Sequence, residues 1–485
     1  MSFFIGFTPK DLQEKTTEVD TESFKGHWRS VGYNRLLAFT EGGYALYTAT
    51  DGYCSVFDAG SLEEFHIGYD RLCLHDANHL SLYHAGDLTC YHYLRTDCIL
   101  YPVDSSGTDC LTPSKVFDNF WRVFSENYAF FTLHDTDWDS IYTTFSQLVT
   151  PTTSDQALRD IIAQMIAPLR DGHIYITAGE HVIRALSVNC GPREALQKLF
   201  ELPAPFISPR ASVDNISARI ESELLQPFDA TRSPLKHAGN QILSWCELDK
   251  NIGYINILRL FGFANTSAHI HADDLPHRPL DCAPFLHADM LALNTALDEI
   301  MHDCEGMNAL IIDARINGGG FDRAGLEIAN RFADRKRIAF SKKARQNSGF
   351  TEEQTITLTP HAKGTYLKPI YLLVSELTLS AGEIFALCMQ AIPHVHLLGE
   401  ATGGILSDNL FHKLPNGWEV SLSNEVYLSS EGKSYEGIGV EPETALPALG
   451  DTLLVDLHKG LIAAVELAKQ EIRGYHNKRD SEAKN

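Results

Sequence analysis

The sequence predicts an α/β protein with a core of alternating strands and helices over residues 246–473. A helical subdomain at 106–185 and a β-rich region at 1–105 precede that core, and a segment at 186–245 connects them. Three observations carry this. Short apolar, partly β-branched runs recur between helical patterns, the signature of an α/β layer with a partly parallel sheet. Two upstream segments carry apolar stripes at helical spacing. The first hundred residues instead show aromatic and apolar runs around turns, as in LLAFTEGGYALYTAT, where Gly42-Gly43 reads as a hairpin.

Taken in order, residues 1–105 form a β-rich accessory domain. Its histidines, among them His66, His75, His79 and His84, read as surface or packing residues. Ser114 is placed to cap a helix through SKVFDNFWRVFSEN, with Phe117, Phe120, Trp121 and Phe124 on one face. A second helix starts near Ser154 and carries Leu158, Ile161, Ile162, Met165, Ile166 and Leu169. Gly172 is expected to break it in LRDGHIYI, before a short strand. Pro203, Pro205, Pro209 and Pro234 punctuate the connecting segment 186–245. In the core, strands are expected at 252–258, 309–314 and 369–375, and helices at about 288–302, 322–334 and 381–392. A last helix at about 451–473 stops at Gly474, leaving a disordered tail at 474–485.

Composition bounds the function. Apolar residues make up 44% and charged residues 21% of 485, enough to bury a core without disulfide or metal staples. The formal charge of −23 argues against nucleic acid, where a cationic footprint supplies affinity, and against an anionic membrane surface. The opening MSFFIGFTPKDLQEK lacks the basic region and apolar run of a secretory leader. No run of about 18 apolar residues marks a membrane span. Ten scattered cysteines without a CxxC pair then read as reduced thiols, and a cytoplasmic location is expected.

Four segments carry candidate chemistry. In ALIIDARINGGGFDRAG a buried strand runs into Gly318-Gly319-Gly320 and a helix. Such glycines serve as an oxyanion hole, a phosphate loop or simply a tight turn. In PIYLLVSELTLSAGEIF, Ser380 sits at a strand-to-helix turn with Glu383 three residues on. Ser-x-x-Glu is a capping box, yet a serine there is also exposed, with the Ala381 N–H beside it as an oxyanion donor. His173, in a turn, is a candidate base for a serine that needs one, or one loop histidine among 21. Glu436, in GKSYEGIGVEPE, is a candidate to orient that histidine, or an exposed turn acid. The segment SAHIHADDLPHRPLDCAPFLHAD holds His269, His271, Asp273, Asp274, His277, Cys282 and His287. Its proline-rich character favours a mobile loop over the site rather than a metal centre.

The order of these segments, DGH, DxRxNxGG, Ser-Ala-x-Glu and Glu-x-x-Gly-Val-x-Pro, resembles the tricorn-core and C-terminal-processing serine peptidases over about residues 110–470. FWRVFSENYAFF resembles the helical subdomain that precedes the core in that family. The resemblance implies a Clp-protease and crotonase-like α/β core. It implies peptide-bond cleavage through an acyl-enzyme on Ser380, with His173 as base and Glu436 orienting it. Gly319, or else Gly318 or Gly320, would join Ala381 in the oxyanion hole. No cofactor or metal is implied, the partner is a peptide or protein substrate, and homo-oligomer formation stays open.

Three departures stand out. The processing branch places a catalytic lysine where this chain has GEATGGILSDN, without lysine. The tricorn branch has a second serine where this chain has Gly172. The processing branch usually carries a PDZ domain, for which residues 186–245 are too short. The resemblance also admits an inert ligand carrier, like the retinoid-binding protein of the retina, and a small-molecule ester or amide hydrolase.

Overall fold

A computed structural model describes residues 21–84, 87–97, 112–185, 210–266, 279–448 and 453–482. Its centre is a seven-stranded sheet in the order Lys236–Ala238, Leu243–Asp249, Ile252–Ile257, Ala309–Asp313, Ile370–Val374, Val395–Gly399, Thr444–Ala445. From Ile252 onward the neighbours are parallel. The sequence dictates this. Every residue of Ile252–Ile257, Ala309–Asp313 and Ile370–Val374 is buried, and strands covered on both faces read as continuous apolar runs. Helices Pro279–Cys304, Asp322–Asn330 and Ala381–Gln390 lie in the crossovers.

Two smaller sheets complete the core. One pairs Arg337–Gln346 with Gly349–Phe350, Gln354–Leu358 and Glu425–Ser429. The other joins distant parts of the chain: Asn409–Lys413, Glu419–Ser423, Tyr175–Ala178 and His181–Arg184. Its register, Ser421 opposite Tyr175 and Val420 opposite Ile176, fixes the DGH turn to the core.

The helical unit consists of Pro113–Asn127, Trp138–Ser146 and Asp155–Ile166. Phe117, Phe120, Phe124, Trp138, Ile162 and Met165 share one apolar cluster with Ile176 and Val420. Helices and small sheet therefore solidify together. The N-terminal sheet has seven antiparallel strands between Gly26 and Thr96, with its first strand, Gly26–Ser30, paired to its last, Tyr91–Thr96. It meets the core where Tyr33 Oη donates a 2.6 Å hydrogen bond to Glu425 Oε1, on a buried ion pair within the core, Lys342 Nζ to Glu425 Oε2 at 3.0 Å.

Several expectations are corrected. The first helix begins at Pro113, with Thr112 and not Ser114 at the N-cap; proline suits the first turn because its missing N–H has no intrahelical acceptor there. Ser154 does cap the second, accepting the Ala157 N–H. That helix stops at Ile166, since Pro168 cannot donate to the α ladder, and the chain reverses at Arg170 (φ 47°) rather than at Gly172. The central sheet begins at Lys236, inside the segment read as a connection, because ILSWCELD carries apolar residues on both faces of a strand that is paired on both sides. Cys282 and His287 lie on helix Pro279–Cys304, not on a loop; the histidines and acids before them lie outside the described residues. The last helix runs Leu453–Glu482, past Gly474 and into the expected tail.

Phe120 is fully buried between Phe124 and Trp138, at centroid distances of 5.0 and 6.2 Å. Phe120→Ala should cost about 3–5 kcal/mol. Thermal unfolding should show the loss, and an unchanged midpoint would remove this cluster from the stability account.

Candidate active site

The Ser380 turn is built where two parallel strands end side by side. Ile370–Val374 delivers the chain into Ser375–Leu379, and Ala309–Asp313 delivers it into Ala314–Gly320. The two loops are laced together. Thr378 Oγ1 donates to Ala314 O at 2.8 Å, Ser375 Oγ to Arg315 O at 2.5 Å, and Leu379 N–H to Asn317 O at 2.9 Å. Arg315 pairs with Asp313 (2.6 Å), and both are buried.

Ser380 has φ 52° and ψ −125°. The two serines that act as ordinary caps, Ser61 and Ser154, have φ near −70° with extended ψ, and each accepts an amide hydrogen bond on its side chain. Ser380 is held instead in a conformation that L-residues avoid, at a cost of about 1–3 kcal/mol. Two glycines make room for it. A Cβ on Gly319 would lie 2.6 Å from Leu379 O and 2.9 Å from the Ser380 Cβ, and one on Gly382 would lie 2.9 Å from Asn317 Oδ1. Gly319 and Ala381 thus flank Ser380 as expected. However, the Gly319 N–H donates to Asn317 Oδ1 at 2.9 Å, so its contribution is close approach rather than an open donor. A Cβ on Gly318 would meet nothing within 4 Å, so that side of the turn is open.

Glu383 is fully buried and does more than cap. Its carboxylate accepts the Ser380 N–H (3.2 Å), the Thr402 hydroxyl (2.5 Å), the Gly404 N–H (2.7 Å) and the Ile405 N–H (2.8 Å). The nucleophile turn and loop 402–405 are therefore one unit. Burial raises the Glu383 pKa to about 7 against these bonds, which favour the charged form.

Loop 402–407 also carries the other half of the site. Glu436 Oε2 accepts the N–H groups of Leu406 (3.0 Å) and Ser407 (2.9 Å), and Gly437 N–H donates to Gly404 O at 2.8 Å. Burial first, then the nearby carboxylates of Asp171 and Glu383, hold the Glu436 pKa well above the usual carboxylate range. His173 is buried; its N–H donates to Asp171 Oδ1 at 2.9 Å, and its carbonyl accepts the Ser421 hydroxyl at 3.0 Å. Asp171 Oδ2 accepts the hydroxyl of buried Tyr128 at 3.1 Å.

The sequence-predicted residues therefore fall into two groups, Gly318–Gly320 with Ser380 and Ala381, and Asp171–His173 with Glu436. Loop 402–407 joins them. A cavity of about 500 Å³ opens between the helical unit and that loop, lined by His134, Arg170, Asp171, Gly404, Ile405 and Glu436, among others. His134, Arg170, Tyr128 and Thr402 escaped the sequence reading, since single polar residues in loops and helix ends carry no periodicity. Arg170 alone has a local sign, following Pro168 at a helix end.

Residues 279–446 match the model of peptidase family S41, and residues 112–167 that of the tricorn protease C1 domain. The chain is 23% identical over 352 residues to a carboxyl-terminal-processing protease of Picosynechococcus sp., covering 67% of this chain and 81% of that one. It is 25% identical over 170 residues to the tricorn protease of Thermoplasma volcanium, covering 35% of this chain and 15% of the relative. Among solved structures it shares its fold with a putative peptidase from Parabacteroides merdae: TM-score 0.53, 24% identity, 74% of this chain and 96% of that one.

Glu383 binds its proton more tightly folded (about 7) than at its ordinary value of 4.5. That stabilisation is complete below pH 4.5 and is lost as pH rises through 7. Across this window wild type should lose about 3 kcal/mol relative to Glu383→Gln. Unfolding of both at pH 4.5 and 8 measures the difference; parallel pH profiles would show that Glu383 is not the titrating group.

Proposed function

We propose that this chain, a serine peptidase of the tricorn-core and C-terminal-processing type with its S41 core at residues 279–446, hydrolyses peptide bonds through an acyl-enzyme on Ser380. The observation that carries the reading is the positive φ of Ser380 beside Gly319 and Ala381. A capping serine needs no such strain, whereas a serine presented to a substrate at a helix N-terminus gains from it.

In this reading Ser380 Oγ adds to the scissile carbonyl while His173 takes its proton. The oxyanion forms against the Ala381 N–H and a donor from the glycine turn, Gly318 or Gly320. Collapse breaks the C–N bond, and His173 passes its proton to the leaving amine. Water then enters by the same route in reverse roles, and the acyl group leaves Ser380. Asp171 and Glu436 orient the histidine turn. The cavity beside His134 and Arg170 supports a substrate path between the helical unit and loop 402–407. The seven described cysteines are free thiols, which supports a reducing compartment such as the cytoplasm.

Intact-mass analysis after fluorophosphonate treatment should show one adduct on wild type and none on Ser380→Ala; an adduct on the variant would assign the nucleophile elsewhere. Gly319→Ala should keep the fold and lower kcat/KM on a cleaved peptide by about 100-fold, because its Cβ displaces the Ser380 turn. Turnover at the wild-type rate would show that the close approach is not needed.

A further inference from the structure

The N-terminal sheet gathers three histidines that the catalytic site does not use. Strands Tyr69–Asp76 and His79–His84 are joined by a two-residue turn, whose Asn78 N–H is held by Asp76 Oδ1 at 2.7 Å. Asp76 pairs with His79 and Leu74 with Leu80, so His75 is the extra residue of a bulge. Bulges re-aim a side chain out of the regular alternation. On the next strand, Tyr91–Thr96, His92 lies opposite Ser81, and therefore diagonal to His79 on the same face. The backbone alone thus brings His75, His79 and His92 together from three strands.

The side chains converge. One ring nitrogen of each lies within 4.8 Å of the others, and His79 Nε2 stands 3.0 Å from His92 Nδ1. Two imidazoles on a tetrahedral zinc, with Zn–N near 2.0–2.1 Å, have their nitrogens about 3.3 Å apart. The observed spacing is thus within a few tenths of an ångström of a ligating pair. The His75 ring is anchored through Nε2 to the Ser81 hydroxyl at 2.9 Å, and Ser81 is buried. A hydrogen bond of this kind fixes ring orientation at metal sites. A neutral imidazole has one lone pair to give to a metal ion. Asp76 beside His75 and Glu352 of the core beside His92 supply compensating negative charge.

We propose that His75, His79 and His92 bind one divalent transition-metal ion of the zinc class, with a fourth position left to water or a carboxylate. An all-imidazole set selects Zn²⁺, Co²⁺, Ni²⁺ or Cu²⁺ and not the oxygen-seeking Mg²⁺ or Ca²⁺. The ion ties the edge hairpin to strand Tyr91–Thr96. That strand follows Cys90, whose backbone exchanges two 2.9 Å hydrogen bonds with the Gln354 side chain of the core. The site is a clamp on the N-terminal sheet and on its docking to the core; it supplies no step at Ser380.

The test uses the full chain as Ser380→Ala, stripped with chelator and titrated with Co²⁺, whose visible absorption reports imidazole ligation, and then with Zn²⁺ as competitor. One equivalent of Co²⁺ should bind with tetrahedral bands, Zn²⁺ should displace it and raise Tm, and Mg²⁺ should do neither. His79→Gln and His92→Gln should weaken binding by more than about 100-fold and Ser81→Ala by about 10-fold, while His173→Gln should bind like the parent. His75 is exposed, so His75→Ala tests the site even where the strand-interior variants do not fold. The proposal is overturned if the stripped chain shows neither the bands nor the Tm rise, or if His75→Ala binds Co²⁺ as tightly as its parent.

Discussion

The site depends on one buried carboxylate. Glu383 gathers the Ser380 N–H, the Thr402 hydroxyl and the N–H groups of Gly404 and Ile405, and so makes a single body of the nucleophile turn and loop 402–407. That loop in turn supplies the two amides that hold Glu436. An unpaired charge at such depth would be costly, and four donated hydrogen bonds offset much of the penalty without removing it, as the raised pKa shows. Removing Glu383 would leave its donors unsatisfied and separate the halves of the site.

The strain at Ser380 is the second constraint. A backbone in this conformation persists only where its surroundings over-determine it. The hydrogen bonds from Ser375, Thr378 and Leu379 to the neighbouring strand's loop do so, because both loops leave adjacent parallel strands at the same level. The parallel sheet, set by its unbroken apolar strands, is what brings the glycine turn beside the serine turn. The register of Tyr175–Ala178 on Glu419–Ser423 then brings in the histidine turn from more than two hundred residues away in sequence.

Much of this was legible in the sequence. Apolar runs marked the central strands, helical stripes marked the helices, and the order of four weak motifs pointed to the serine peptidases whose family S41 model matches residues 279–446. What escaped has physical causes. Strand Leu243–Asp249 hid behind prolines and mixed polarity. Pro168 outranked Gly172 as the helix terminator because a missing donor acts before flexibility does. Ser380-x-x-Glu383 reads as a capping box in one dimension, and only its φ separates it from Ser61. The raised pKa of Glu436 arises from its burial, with Asp171 and Glu383 adding to it in space, and the histidine trio from a bulge at His75; neither has a local signature.

The most direct test of the account is a crystal structure of the chain with a peptidyl phosphonate bonded to Ser380. The account predicts the phosphoryl oxygen about 2.7–3.1 Å from the Ala381 N–H and from one amide of Gly318–Gly320, with the His173 ring within hydrogen-bond reach of Ser380 Oγ and the Glu383 contacts to loop 402–405 intact. An adduct whose oxygen points away from Ala381, or a His173 ring that stays out of reach of Ser380, would contradict it.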